Sequence, residues 1–274
     1  MATDPAAPPV PALDGHVLLL YSSEEERQET LAAWVRRGLE NNEKVICAAT
    51  DAQIAQGTVL DILAAHGIDV GTAIAGDRLA MMPLQEFFRP GGLAGLVDQV
   101  LAEGFRRLRT PAEERTALTH LSAASLANAE RGLDELCRSR PLSALCQYEQ
   151  PAVAARRLAG LVGCHPSIRQ HQVASFAVNG SLALAGEIDI SNDLVVEMAL
   201  AAAASGAAGT LRLDLRQVQF LGAAGLRALD AGTRRFRDDG GRVLLAEPGR
   251  QVEQILRITR MDQLKNMEIV GGQR

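Results

Sequence analysis

Apolar and polar positions along this chain switch between two periods, and the switches predict its elements. His16-Val17-Leu18-Leu19-Leu20-Tyr21 is a largely apolar run too short for a helix, which predicts a strand buried on both faces. Ser23-Glu24-Glu25-Glu26 has the spacing of a capping box, and Leu31, Trp34, Val35 and Leu39 continue at helical spacing. Lys44-Val45-Ile46-Cys47-Ala48-Ala49 predicts a second strand. Strand, helix and strand in close succession form a βαβ unit, which implies a parallel α/β sheet. Further helices are predicted over residues 52–66, 93–107 and 113–136, with a strand over 77–82 and an irregular loop over 83–92. Residues 141–148 fit another buried strand, and a helix over 153–162 ends at Gly163-Cys164-His165-Pro166.

The pattern then restarts. A linker at 169–174 precedes a strand at 175–178, an Asn179-Gly180 hairpin turn and a returning strand at 182–185. Gly186-Glu187-Ile188-Asp189-Ile190 leads to Ser191 or Asn192 as the cap of an Ala-rich helix over 194–204. Leu211, Leu213 and Leu215 alternate on one strand face, followed by a short turn into Gly222-Ala223-Ala224-Gly225 and a helix reaching about residue 238. Asp239-Gly240-Gly241 turns the chain into a strand over 242–247. Pro248-Gly249 opens a helix carrying Val252, Ile255 and Leu256, and residues 267–270 form a last strand. The division is a tail at 1–14, one domain at 15–168 and a second at 175–270.

Composition narrows what these domains do. The chain has 274 residues, 47% of them hydrophobic but only 3% aromatic, so Ala, Leu and Val supply most of the packing. A net charge of −5 without a basic block argues against nucleic-acid binding. No apolar run approaches the roughly 20 residues needed to span a bilayer, and the Ala/Pro-rich start with its Asp is unlike a signal peptide. A cytoplasmic protein with reduced thiols at Cys47, Cys137, Cys146 and Cys164 is expected.

Candidate chemistry is sparse. The loop after the first strand is where nucleotide-binding folds cradle phosphate, yet no G-x-x-x-x-G-K-[ST] occurs anywhere in the chain. Glu24, Glu25 and Glu26 instead suit a helix N-terminus and would repel a triphosphate. The cysteines show no CxxC spacing, and His66, His120 and His171 have no ligand spacing, so neither a metal site nor a cofactor is expected. Cys146, in an apolar strand, has the ordinary reading of a small core residue. Tyr21, Cys146, Tyr148 and His165 are the candidates for lining a ligand-sensing pocket at strand ends.

The first half resembles the MEDS family, a sensory domain with a RecA-like fold lacking the nucleotide loop. The residues that carry the likeness are His16-Val17-Leu18-Leu19-Leu20-Tyr21, Gly38-Leu39, Ala144-Leu145-Cys146-Gln147-Tyr148 and His165-Pro166. The likeness implies sensing of a small signal rather than a known reaction. The second half resembles a STAS domain, the mixed α/β fold of anti-sigma factor antagonists. Its marks are Leu184-Ala185-Gly186-Glu187-Ile188-Asp189, Leu211-Arg212-Leu213-Asp214-Leu215, Phe220, Gly225-Leu226 and Gly240-Gly241-Arg242-Val243-Leu244-Leu245.

That second resemblance implies a partner surface at Asp189, Ser191, Gly222, Ala223, Ala224 and Gly225. Antagonists of this family typically carry Asp-Ser-Ser-Gly or Asp-Ser-Thr-Gly at the helix start, where a partner kinase phosphorylates the first hydroxyl. Here Gly222-Ala223-Ala224-Gly225 stands instead, and alanine has no oxygen to accept a phosphoryl group. Ser191 and Thr233 are the alternative hydroxyls. The expectation is a non-enzymatic signalling protein whose C-terminal domain binds an anti-sigma factor or serine-kinase-like partner. Its competitors are an oligomerisation scaffold, including a homodimer, and an atypical ligand- or nucleotide-binding enzyme in the first domain.

Overall fold

The computed structural model describes residues 13–150, 153, 155–170, 173–178 and 181–271. The chain divides into two compact units, one centred on residues 14–154 and one on residues 155–274. Most of the predicted tail and the Asn179-Gly180 turn lie outside the described residues.

The N-terminal unit holds five parallel strands in the order β1-β5-β4-β2-β3: β1 (His16–Tyr21), β2 (Lys44–Ala49), β3 (Leu79–Pro83), β4 (Leu108–Glu113) and β5 (Leu142–Glu149). β1 is buried at every position, as its apolar run requires. Helix α1 (Glu24–Glu40) is capped by the Ser23 side chain, which accepts from the Glu26 N–H at 3.2 Å. The Glu26 carboxylate reaches one residue further back than in a standard capping box, accepting from the Ser22 N–H at 2.8 Å.

Several of the expected elements differ. The helix predicted over 52–66 is α2 (Asp51–Gln56) followed by α3 (Thr58–Ala65), because Gly57 takes φ +68° between them. After α4 (Val70–Ala75), the loop predicted over 83–92 contains the short α5 (Leu84–Phe87), and α6 runs over Gly92–Ala102. Strand β4 was absent from the sequence expectation, since Arg109 and Pro111 disguise it. The strand pairs with β2 only at Leu108 and Arg109, so Pro111 lies where that ladder has ended and its missing N–H is not needed there. The helix predicted over 113–136 is accordingly the end of β4, the short α7 (Glu114–Ala117) and α8 (Ala123–Ser139).

Arg109 is fully buried. Its guanidinium pairs with Glu43 and with Asp14, a residue assigned to the tail from sequence, and lies 4.6 Å from the Trp34 ring centroid. Gly38 of α1 makes room for it: a Cβ there would sit 2.4 Å from Arg109 Cδ and 2.9 Å from Nε.

The C-terminal unit is a mixed sheet in the order β6-β7-β8-β9-β10-β11. Its strands are β6 (Ser167–Gln170), β7 (Val173–Val178), β8 (Ser181–Ile188), β9 (Thr210–Leu221), β10 (Arg242–Ala246) and β11 (Met267–Val270). β6–β7 and β7–β8 are antiparallel, and the remaining pairs are parallel. Part of the predicted linker is therefore strand β6 and the first turn-free residues of β7. The helices are α9 (Ala155–Cys164), α10 (Asp193–Gly206), α11 (Ala223–Asp238) and α12 (Arg250–Ile258).

The turn predicted after Leu215 is instead a continuation of β9 to Leu221. Alternation breaks there, from Leu215 to Val218 to Leu221, because register shifts against β8 insert extra residues while keeping all three side chains buried. Leu184, Leu213 and Leu229 are each at most 1% exposed and anchor this unit's core. Fully burying one such side chain contributes about 1.5–3 kcal/mol. Helix α11 lies hard against α10 at Gly232, where a Cβ would meet the Glu197 carbonyl oxygen at 2.6 Å.

Two outcomes follow from this packing. Gly38→Ala overfills the space around an Arg109 that its ion pairs hold in place, and should cost about 1–3 kcal/mol in urea unfolding. An unchanged midpoint would refute the contact. In α11, partial burial raises Asp230, but the hydrogen bonds and charges of Arg234 and Arg237 outweigh it and hold the carboxyl below its ordinary value. A carboxyl depressed in the folded state adds stability above its unfolded pKa of about 3.9 and loses it as pH falls through the folded value. Asp230→Asn should therefore be less stable than the parent at neutral pH, with the gap narrowing as pH falls below the unfolded value and closing only below the depressed folded one.

Candidate functional site

The N-terminal unit brings polar side chains together on one face of its sheet. In the parallel register His16 is opposite Ala144, Leu18 opposite Cys146 and Leu20 opposite Tyr148, so His16, Cys146 and Tyr148 share a face. Helix α8 covers that face and directs Glu130 and Asp134 inward, on the same side as Leu126. His16 Nε2 lies 3.1 Å from Glu130 Oε2, and Cys146 Sγ lies 3.3 Å from the same oxygen and 3.4 Å from His16 Nε2. The Tyr148 hydroxyl donates to the other carboxylate oxygen, Oε1. Burial and then the Glu130 charge push the Tyr148 phenol far above its ordinary value, so it remains a donor.

A cavity of about 30 Å³ adjoins this group, bounded by Glu130, Cys146, Tyr148 and the Phe87–Phe88 pair. A second, more open cavity of about 230 Å³ shares Phe87, Phe88 and Leu133 and extends along α6 and α8. The first has room for an ion or a water, the second for a small molecule.

Of the four predicted sensing residues, Cys146 and Tyr148 thus line one cavity. Tyr21 alternates onto the opposite sheet face, where its hydroxyl donates to Glu113 Oε1 at 3.4 Å and Arg27 stacks 5.9 Å from its ring centroid. Burial, then the Glu113 charge, raise the Tyr21 phenol to about 12. His165 belongs to the C-terminal unit, where its Nδ1 pairs with the Leu161 carbonyl at 2.7 Å. His16 and Glu130 escaped the sequence reading. The available signals were a histidine opening an apolar strand and an acid on the Leu126 stripe of α8. Desolvation raises the buried Cys47 thiol and the half-buried Cys137 thiol to about 12, with the Asp134 charge adding to the latter.

In the C-terminal unit, the β8–α10 loop and the start of α11 lie side by side. The Gly222 N–H donates to the Ile188 carbonyl at 2.8 Å, and Gly222 precedes α11 without a side-chain cap. Asp189 Oδ1 accepts from the Ser191 N–H at 2.8 Å and from its hydroxyl at 2.6 Å, while Asn192 Oδ1 accepts from the Asp189 N–H at 3.1 Å. Ala223 and Ser191 are exposed. Ala224 and Gly225, expected on the partner surface, are buried. A Cβ at Gly225 would meet Ile188 and Leu221 at 2.8 Å, so this glycine serves the seating of α11 on the sheet. Thr233 is also buried, with its hydroxyl donating to the Leu229 carbonyl. The sequence reading missed the apolar rim: Ile190 is 79% exposed, and Leu194 and Phe220 are each 45% exposed. Phe220 lies against Gly222, its Cε1 3.2 Å from where a Cβ would be.

Comparison with known proteins supports both sequence resemblances. Residues 15–166, more than half of the chain, match the family model of the MEDS domain, the methanogen/methylotroph DcmR sensory domain. Residues 171–270 match the model of the Mlab STAS domain. No curated protein matches the chain. Among solved structures, an anti-sigma factor antagonist from Mycobacterium paratuberculosis is similar over 35% of this chain and 83% of its own, at 23% identity and a TM-score of 0.30. The anti-sigma factor antagonist SpoIIAA in its unphosphorylated form is similar over 36% of this chain and 88% of its own, at 16% identity and a TM-score of 0.30. A KaiC-like protein from Pyrococcus horikoshii OT3 is similar over 63% of this chain and 78% of its own, at 11% identity and a TM-score of 0.43. No helix among the described residues is long and apolar enough to cross a membrane.

Proposed function

We propose, from the premise that this chain belongs to the MEDS family, that its first domain senses a small ligand and its STAS domain docks a protein partner without a phosphorylation switch. A sensory domain followed by a STAS domain is a regulatory, signalling architecture. The protein acts in it by binding rather than by catalysis. The partner is an anti-sigma factor or a serine-kinase-like protein, the class that the STAS resemblance implies.

The observation that carries this reading is Ala223, exposed as the first residue of α11. It stands where the resemblance puts the phosphorylated hydroxyl, and a methyl group cannot accept phosphate. Phosphorylation there would add roughly −1.5 to −2 charges to the surface. Phe220 and Asp189 lie beside Gly222, next to Ala223, and the β8–α10 loop and first turn of α10 add the exposed Ile190, Ser191 and Leu194, which supply apolar and polar area for a partner. The surface is thus permanently of the unmodified kind, and control passes to the sensory domain, whose more open cavity beside Phe87 and Phe88 has room for a small ligand.

Mixing the full chain with a panel of anti-sigma kinases should yield a complex by analytical ultracentrifugation. Ala223→Asp, which places a charge amid the apolar rim, should weaken that complex at least tenfold, and Ile190→Ser should weaken it too. If no panel member binds, or if Ala223→Asp binds like the parent, the docking reading fails; self-association through the same rim would replace it with the scaffold reading. A separate outcome concerns the switch. The same kinases should transfer no radiolabelled phosphate from ATP to the parent chain but should label Ala223→Ser. Label on the parent at Ser191, the exposed hydroxyl beside the surface, would show that control is not constitutive.

A further inference from the structure

The polar group under α8 goes beyond a sensing pocket. We propose that His16, Glu130 and Cys146 form a binding site for a divalent cation of the zinc class in the N-terminal unit. Nε2 of His16, Oε2 of Glu130 and Sγ of Cys146 form a triangle with sides of 3.1, 3.3 and 3.4 Å. Zinc bonds of about 2.0–2.1 Å to nitrogen, 2.0–2.2 Å to oxygen and 2.3 Å to sulfur, at tetrahedral angles, place donor atoms about 3.3–3.6 Å apart. The triangle is therefore already near the dimensions of one face of such a shell.

The chemistry of the donor set agrees. Imidazole and thiolate favour zinc over magnesium or calcium, whose shells are built from oxygen. Thiolate and carboxylate together carry two negative charges that a divalent ion neutralises in a place where uncompensated charge is costly: His16, Glu130 and Cys146 are 0%, 5% and 2% exposed. Three donors from three elements, β1, α8 and β5, converge although 114 and 16 residues separate Glu130 from the other two.

The surroundings orient the donors. The Tyr148 hydroxyl holds Glu130 Oε1, leaving Oε2 to face the triangle. Asp134 Oδ1 lies 3.8 Å from His16 Nδ1, on the side of the ring away from the triangle, and Arg138 pairs with the same carboxylate at 3.0 Å. A carboxylate behind a histidine that points its other nitrogen at an ion is a recurrent arrangement of metal sites. Binding replaces the Cys146 thiol proton by a metal–sulfur bond, and the proton leaves to solvent. The adjoining cavity of about 30 Å³ is bounded by two of the donor residues, Glu130 and Cys146. In the absence of metal the same atoms form a hydrogen-bonded cluster, so the alternative is a purely structural network.

The test uses the full chain, stripped with a chelator and titrated separately with zinc(II) and cobalt(II). One zinc per chain by native mass spectrometry is expected. The cobalt form should show a thiolate-to-metal charge-transfer band together with the visible bands of a tetrahedral ion. Cys146→Ser should lose that band and weaken zinc on the order of 100-fold or more, and Tyr148→Phe, which removes the donor to the far carboxylate oxygen, should weaken it about 10–100-fold. Cys47→Ala and Cys137→Ala should retain the band. A parent chain that takes up no zinc, or whose cobalt form lacks the thiolate band, overturns the proposal without needing any variant to fold. A Cys146→Ser chain that binds both metals like the parent overturns it as well. None of these results bears on docking at Ala223, so the two readings fail independently.

Discussion

A positive charge with no access to solvent, on a central strand, is the constraint around which the N-terminal unit is assembled. Arg109 of β4 is shielded from water, and a lone buried cation would cost several kcal/mol. Glu43, at the entry to β2, and Asp14, at the entry to β1, supply the opposing charges, and the Trp34 carbonyl accepts at 3.4 Å. The requirement therefore fixes where the chain enters two strands. With β1 so anchored, and the Gly15 N–H donating to Ser143 Oγ at 3.1 Å, His16 falls into register two residues from Cys146. The geometry of the polar site thus descends from a structural ion cluster on the other face of the sheet.

The C-terminal unit rests on close approach rather than on charge. Gly225 and Gly232 let α11 seat against Ile188 and against the backbone of α10, where any side chain would collide with atoms that cannot move aside. This seating buries Ala224 and turns Ala223 outward beside Asp189 and Ile190. A surface of small and apolar residues over a rigid helix start is suited to docking at little cost in side-chain ordering. Ala223 itself offers no hydroxyl for a phosphoryl group; in the proposed reading the response to a small species therefore falls to the N-terminal unit, and the helix start serves as a fixed face.

Much of the fold was legible because it rests on local pattern. The apolar run of β1, the Ser23 cap and the alternation of Leu211, Leu213 and Leu215 each follow from steric and hydrogen-bonding rules that act within a few residues. Strand β4 was illegible because its centre carries Arg109 and Pro111, which local rules place elsewhere and only Glu43, Asp14 and the early end of the β2 ladder accommodate. The second half of β9 was missed because register shifts against β8 broke its alternation. Of the sensing candidates, Cys146 and Tyr148 share a face because they lie two apart on β5, whereas Tyr21 is separated from them by the parity of β1.

The sequence by itself determined that the chain carries a sensory α/β domain and a STAS domain, and that position 223 cannot be phosphorylated, since that follows from the identity of one side chain. The tertiary structure decided which residues share a site. Glu130 and His16 are distant in sequence, and Glu130 lies on a helix whose bounds local pattern blurred. Only the register of β1 on β5 and the packing of α8 over them bring an imidazole, a carboxylate and a thiol within bonding distance. Convergence of that kind is set by long-range packing, which the spacing of residues along a chain does not encode.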